Sequence, residues 1–229
     1  MKLAIMQPYL FPYIGYWQLL QAVDKFILFD DVNFIKKGYI NRNSILIDGR
    51  EHKFSLELRK QSQNKLINEI EVGDNKEKLL KTRHMAYRKA PRYDEVYPVL
   101  EKVIRYDEAN LARYVGVSLY ELSDFLGIDV EIVYSSDIAK DEALKGKDKI
   151  IDICRALGAS EYINAAGGRS LYDRADFDKM GISLKFIEMG GIHYRQFEND
   201  FVPNLSIIDV MMFNDLHEIG SMFENYKLV

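Results

Sequence analysis

Several things are scarce in this chain, and each scarcity closes a class of function. Cysteine occurs once in 229 residues, at Cys154. No internal disulfide can form, and Cys154 follows Ile150, Ile151 and Ile153 at helical spacing, which marks it as a small core residue rather than a nucleophile. Histidine occurs four times, and no pair among His52, His84, His193 and His217 has metal-ligand spacing. No metal site built on histidine is expected. Long apolar runs are missing: none approaches the ~18 residues of a membrane span. Met1 to Ile5 is too short for a signal peptide before Gln7 and Pro8 interrupt it. Positive charge is not in excess, since 31 Lys and Arg face 35 Asp and Glu, a formal net charge of -4. The chain as a whole has no pull toward nucleic acid or an anionic membrane. These absences lead to the expectation of a cytoplasmic protein with no nucleic-acid partner and no membrane span.

What is present is a packable α/β chain. Residues 2–31 read as strand, tight loop, helix and strand, a compressed βαβ unit. Leu3 to Met6 is a short buried strand, Pro8 and Pro12 stiffen the loop, and Gly15 to Val23 has helical spacing. Lys25 to Phe29 is a continuous apolar strand of the kind covered on both faces. Asp48-Gly49 between two apolar segments predicts a hairpin. Three helices are expected over residues 76–126, the last closed by Gly127. Strand and helix then alternate: 130–134, 147–157, 161–164, 171–180, 184–187, and a last helix over about 207–225. The expected fold is a single α/β domain over residues 1–229. Its Rossmann-like, doubly wound parallel sheet has about five strands, a nucleotidyltransferase-like start and a helical insertion at 75–126.

In such sheets ligands sit outside the carboxyl ends of the strands. That singles out the loops 7–15, 30–43 and 165–169. The first carries Gln7, Pro8, Tyr9, Tyr13, Gly15 and Tyr16. Nucleotidyltransferase-type folds place His-x-Gly-His here; this chain has Tyr13-Ile14-Gly15-Tyr16, which keeps the glycine and gives up the imidazolium charge. The second carries Asp30 and Asp31 at the end of a buried strand, costly unless paired or bound to a cation. Lys36, Lys37 and Arg42 are the nearby partners in sequence, and Mg²⁺ held through water is the other option. Asn41, Arg42 and Asn43 add forked donors suited to phosphate or carboxylate, and Asn33 is a further ligand-binding candidate on this loop. In the third, Gly167, Gly168 and Arg169 form an anion nest between strand and helix. A later segment holds His193, Tyr194, Gln196, Asn204 and Ser206. Asn204 or Ser206 either caps the last helix or belongs to a segment closing over the site.

Met6-Gln7-Pro8-Tyr9…Pro12-Tyr13-x-Gly15-Tyr16, Phe29-Asp30-Asp31-Val32-x-Phe34 with Asn41-Arg42-Asn43, and Tyr194-x-Gln196…Phe201-x-Pro203-Asn204-Leu205-Ser206-Ile207-x-Asp209 resemble the WbqC-like protein family nearly end to end. That family is found in bacterial clusters for O-antigen and other surface polysaccharides. The resemblance implies transfer of glycine or another amino acid onto an amino sugar, with a nucleotide-linked amino sugar and a small acyl donor as partners. Such a reaction needs an activated acyl group, either an acyl-adenylate made with ATP and Mg²⁺ or a preactivated thioester. In that scheme the 7–16 loop and the Gly167-Gly168 nest hold phosphates. Arg42 or Lys36 offsets charge, Asp30 or Asp31 holds Mg²⁺ or the amine, and His193 is the general base. Non-catalytic binding of a nucleotide sugar is the alternative. The sequence leaves homodimer formation open.

Overall fold

The computed structural model describes all 229 residues. Along the chain run β1 (Lys2–Met6), α1 (Ile14–Gln21), β2 (Lys25–Leu28), β3 (Arg42–Ile47), β4 (Arg50–Ser55), β5 (Leu58–Arg59) and β6 (Glu71–Val72). Then come α2 (Lys76–Tyr87), α3 (Tyr93–Arg105), α4 (Leu111–Leu126), β7 (Glu131–Tyr134), α5 (Gly146–Ala156) and β8 (Glu161–Ala165). The chain closes with α6 (Arg174–Asp178), β9 (Ser183–Met189), α7 (Ile207–Phe213), α8 (Leu216–Glu224) and β10 (Tyr226–Leu228).

Six strands form the main sheet in the order β10-β9-β8-β1-β2-β7. All pairings are parallel except β10 with β9. Counted in chain order and read from β7, the sheet runs 3-2-1-4-5-6, the order of a Rossmann-like sheet. Its strands are apolar on both faces because both faces are covered. Ala4, Phe26 and Leu28 join a core of 48 buried residues with α1 and α4. Leu3, Ile5 and Ile27 point the other way, into a second core of 13 residues with Ile150, Ile153, Tyr162 and Phe177. Alternation along a strand delivers neighbours to opposite layers.

Between β2 and β7 the chain makes the hairpin β3–β4, the short pair β5–β6 and the helices α2 to α4. The Asp48-Gly49 turn has positive φ at both residues, 49° and 72°, the geometry that gives a two-residue hairpin its twist. Gly127 closes α4 in the left-handed region.

Three elements differ from the sequence expectation. The helix expected over 207–225 is two helices. Asp215 caps the second by accepting from the Glu218 amide, while the Glu218 side chain reaches back. The helix expected over 171–180 shrinks to α6 because Asp173 caps it late, accepting from the Ala175 amide at 3.0 Å. The terminal strand β10 has no sequence signal of its own; it exists because the open edge of β9 offers it a ladder.

Candidate functional site

The strand order reverses between β1 and β8, and the loops leaving these strands diverge there. A cavity of about 530 Å³ lies at this point. Gln7, Pro8, Tyr9 and Tyr16 line it from the β1–α1 unit, Phe29 and Gly38 to Ile40 from the loop after β2, and Asn164, Gly167, Gly168, Leu171 and Tyr172 from the end of β8 and the turn after it. The three loops singled out by sequence therefore converge on one space.

The β1–α1 loop is held open by donors to its carbonyls. Asn43 Nδ2 donates to the carbonyls of Leu10 and Phe11, and Ser206 Oγ donates to Phe11 O at 2.8 Å. Trp17 Nε1 and the Ile207 amide both donate to Pro12 O. Phe11 sits at φ 47°, a left-handed conformation costly for a bulky residue, and these bonds hold it there. Tyr16 donates to Gln7 O at 3.0 Å, and the Tyr9 ring meets Tyr16 edge-on and stacks on Tyr39 with centroids 5.1 Å apart. Burial raises the pKa of Tyr9, Tyr13 and Tyr16, so all three hydroxyls stay protonated and can donate.

Gly15 departs from its expected use. A Cβ there would lie 2.6 Å from the Tyr13 ring, so the space beside this glycine is filled by tyrosine and is not open to a phosphate. Gly168 needs to be glycine for a similar reason of space: a Cβ would lie 2.6 Å from Asn164 Nδ2, whose amide faces the cavity. Gly167 lines the same wall. Arg169 turns away, donating to Glu188 Oε1 at 2.7 Å, and lies outside the cavity lining.

Asp30 and Asp31 find partners, though not those nearest in sequence. Asp30 is fully buried and accepts from the Ser136 amide at 2.9 Å, Ser136 Oγ at 2.7 Å and Asn68 Nδ2 at 3.3 Å. Asp31 Oδ2 pairs with Lys140 at 2.8 Å and Lys149 at 2.9 Å. Burial alone would raise the Asp31 pKa; hydrogen bonds from the two ammonium groups outweigh it and hold the carboxyl below its ordinary range. Asp30 is thus saturated by neutral protein donors, while Asp31 has two cations on Oδ2 and a buried Oδ1 without a partner. The two ammonium groups, at 2.8 and 2.9 Å from Asp31, would repel an Mg²⁺ ion, and the aspartate pair does not fit one. Asp31, Asn33 and Lys149 line a second, polar cavity of about 430 Å³ with Ser136, Glu142 and Lys145. The two cavities share the loop after β2 and the start of α5, where Lys149 faces one and Ile150 the other.

Arg42 and Asn41 serve the loops rather than the cavity. Arg42 Nε donates to Gly38 O at 2.7 Å, its Nη2 to Lys37 O, and its guanidinium lies 5.9 Å from the Tyr39 ring centre. Asn41 Nδ2 donates to Leu56 O at 2.8 Å. Asn33 Nδ2 holds Gln63 O at 2.9 Å. Lys36 is exposed on the same loop as Tyr39.

The late segment splits into a scaffold and a rim. Tyr194 and Gln196 both donate to Asp209 Oδ2, at 2.8 and 2.7 Å, and Tyr87 donates to Oδ1 at 2.7 Å. This network is buried, and burial raises the Asp209 pKa against the lowering by its three donors. Ser206 caps α7, accepting from the Ile208 amide while its hydroxyl holds Phe11 O. The capping role and the loop-holding role thus coexist in one side chain. Asn204 takes φ 58° and lines a separate hollow with Tyr194 and Phe201. His193 is exposed, packs on Phe201 with ring centres 4.5 Å apart, and lines neither of the two cavities above.

Lys140, Lys149, Ser136, Ile150 and Leu171 escape sequence reasoning. Lys140 and Lys149 lie 109 and 118 positions after Asp31 and carry no motif. The one available signal is the unpaired look of Asp30-Asp31, which demands cations somewhere. Tyr39 sits inside the 30–43 loop already singled out, and Asn164 and Tyr172 flank the 165–169 loop.

The fold and site define a Rossmann-like α/β protein with an aromatic-walled cavity at the switch point of its sheet. The WbqC-like protein family matches residues 7–220, and the chain belongs to that family. It is 26% identical over 216 residues to a Mycobacterium tuberculosis protein, "Uncharacterized protein Rv1507c", with 92% of each chain covered. No solved structure matches. No helix is long and apolar enough to cross a membrane.

Proposed function

We propose that the protein is an aminoacyl transferase or amide ligase that joins glycine or another amino acid to a nucleotide-linked amino sugar in bacterial surface polysaccharide (O-antigen) biosynthesis. The observation that carries this reading is the convergence of the loops after β1, β2 and β8 on one cavity at the switch point, where sheets of this order take nucleotides. Membership of the WbqC-like family supports the pathway.

In the reaction the sugar amine attacks an activated acyl carbon. The C–N bond forms, the bond to the leaving group breaks, and the leaving group departs with the electron pair. The amine proton then passes to solvent or to the departing group. The acyl group arrives activated, as an adenylate derived from ATP or as a thioester. Asp31 suits holding charge rather than taking the proton, because its lowered pKa makes it a weak base. Tyr9, Gln7 and Asn164 bind and orient the sugar nucleotide.

A second reading is non-catalytic binding of the nucleotide sugar. It is favoured by the absence of Cys, Ser, Lys, His, Asp and Glu from the lining of the switch-point cavity; Cys154 lies outside it in the second core, where burial pushes its thiol up to about 12. Mass spectrometry decides between the two. The protein is incubated with a dTDP- or UDP-amino sugar, glycine, ATP and Mg²⁺. A glycyl adduct of the sugar is expected. A thermal shift without product leaves the binding reading, and neither signal removes both.

A further inference from the structure

None of the 17 residues lining the switch-point cavity is Asp, Glu, Lys, Arg or His. Its polar side chains are the amides of Gln7 and Asn164 and the hydroxyls of four tyrosines, Tyr9, Tyr16, Tyr39 and Tyr172. A pyrophosphate drawn into such a space would lose its water without meeting a counter-charge, a cost neutral rings do not bear. Flat faces are abundant instead: Tyr9 stacks on Tyr39 at 29°, and Phe29 and Tyr172 complete the walls.

Two of the lining residues are large, apolar and left in solvent: Tyr39 is 56% exposed and Leu171 is 68% exposed. They come from different loops, after β2 and after β8, yet border the same cavity. Asn164 Oδ1 is taken by the Ala165 amide at 2.8 Å, which leaves its NH₂ as the group to offer. Positive charge stands just outside. Lys36 and Lys37 precede the lining residue Gly38 and are exposed.

We infer that the cavity takes the nucleoside half of the nucleotide-linked sugar, base first, with the pyrophosphate at the mouth beside Lys36 and Lys37 and the sugar outside the cavity. This rests on the proposed reading that the ligand is a sugar nucleotide, and it moves the phosphates out of the β1 loop and the Gly167-Gly168 turn. The base lies against Tyr9 and Tyr39, and the side-chain amides of Gln7 and Asn164 meet its polar edge. Arg42 is a positioning residue here. Its bonds to the carbonyls of Lys37 and Gly38 fix the loop that carries both Tyr39 and the two lysines.

Calorimetry on the full chain tests the orientation with neutral nucleosides, UDP, dTDP, their amino-sugar conjugates and free glucosamine. Nucleosides are expected to bind and to compete with the conjugates, while glucosamine does not compete. Tyr39→Ala weakens nucleoside and diphosphate alike, by about tenfold, the worth of one lost stacking contact. The Lys36→Ala/Lys37→Ala double variant weakens only the diphosphates and flattens their salt dependence. Binding of conjugates with no nucleoside competition, or competition by glucosamine alone, overturns the orientation and leaves the proposed function standing. No binding of any nucleotide or conjugate removes both.

Discussion

At the scale of single residues the buried charges carry the testable content. Asp31 faces two lysines whose side chains are 1% and 8% exposed. Asp31→Asn leaves both ammonium groups without their carboxylate and is expected to cost about 3 kcal/mol in urea unfolding at pH 7. The Asp31 pKa is lowered by folding, so its stabilisation is present above the ordinary value of 3.8 and is lost as pH falls through the lower folded value. The gap between wild type and variant should therefore close in acid, and a gap that stays constant to pH 2 would contradict the pairing. Asp209 runs the other way. Burial raises its pKa, so the native state holds the proton more tightly and its contribution is lost as pH rises. Asp209→Asn should gain on wild type between acid and neutral pH, and a parallel pair of stability curves would refute this. Arg83 is a third case: fully buried, stacked 4.0 Å over Phe54, with Nε and one terminal nitrogen unpartnered and its pKa pushed down to about 10 by burial. Arg83→Met removes an unpaired buried charge and should change stability by less than about 1 kcal/mol. A loss above twice that would mean the aromatic stacking outweighs the desolvation.

At the scale of elements, the β1–α1 loop depends on residues far from it in sequence. Asn43 on β3 and Ser206 at the start of α7 both hold Phe11 O. Asn43→Ala would orphan the Leu10 carbonyl and leave Phe11 O to Ser206 alone, and should cost about 2 kcal/mol while weakening the thermal shift given by a nucleotide sugar. An unchanged shift with the expected loss of stability would show that the loop keeps its shape without this clamp. The hairpin and the helix stop at Gly127 were readable because turn chemistry is local. The late caps at Asp173 and Asp215 were not, because an aspartate caps only where the chain already turns.

At the scale of the molecule, α2 to α4 share one core with α1 and the central strands: Leu80, Leu100, Leu119, Trp17 and Phe26 belong to the same cluster. Circular dichroism and Trp17 fluorescence should therefore report a single coincident unfolding transition. Two separated transitions would make the 75–126 segment an independently folding unit. The same connectivity explains how a site assembled from segments 160 residues apart can be built: Gln7 and Gly167 are neighbours of one cavity only because β1 and β8 lie side by side.

The sequence by itself determined which stretches are strands buried on both sides, which loops follow them, and that two adjacent aspartates at a strand end must find partners. Apolar runs, turn residues and desolvation cost are properties of short segments. Only the tertiary structure decided which partners those are, that the space beside Gly15 is filled by Tyr13, that Arg42 clamps a loop, that His193 lies outside both cavities, and that the switch-point cavity is uncharged. Each of these depends on which distant side chain occupies a given space. Packing sets that, and the spacing of residues along the chain does not.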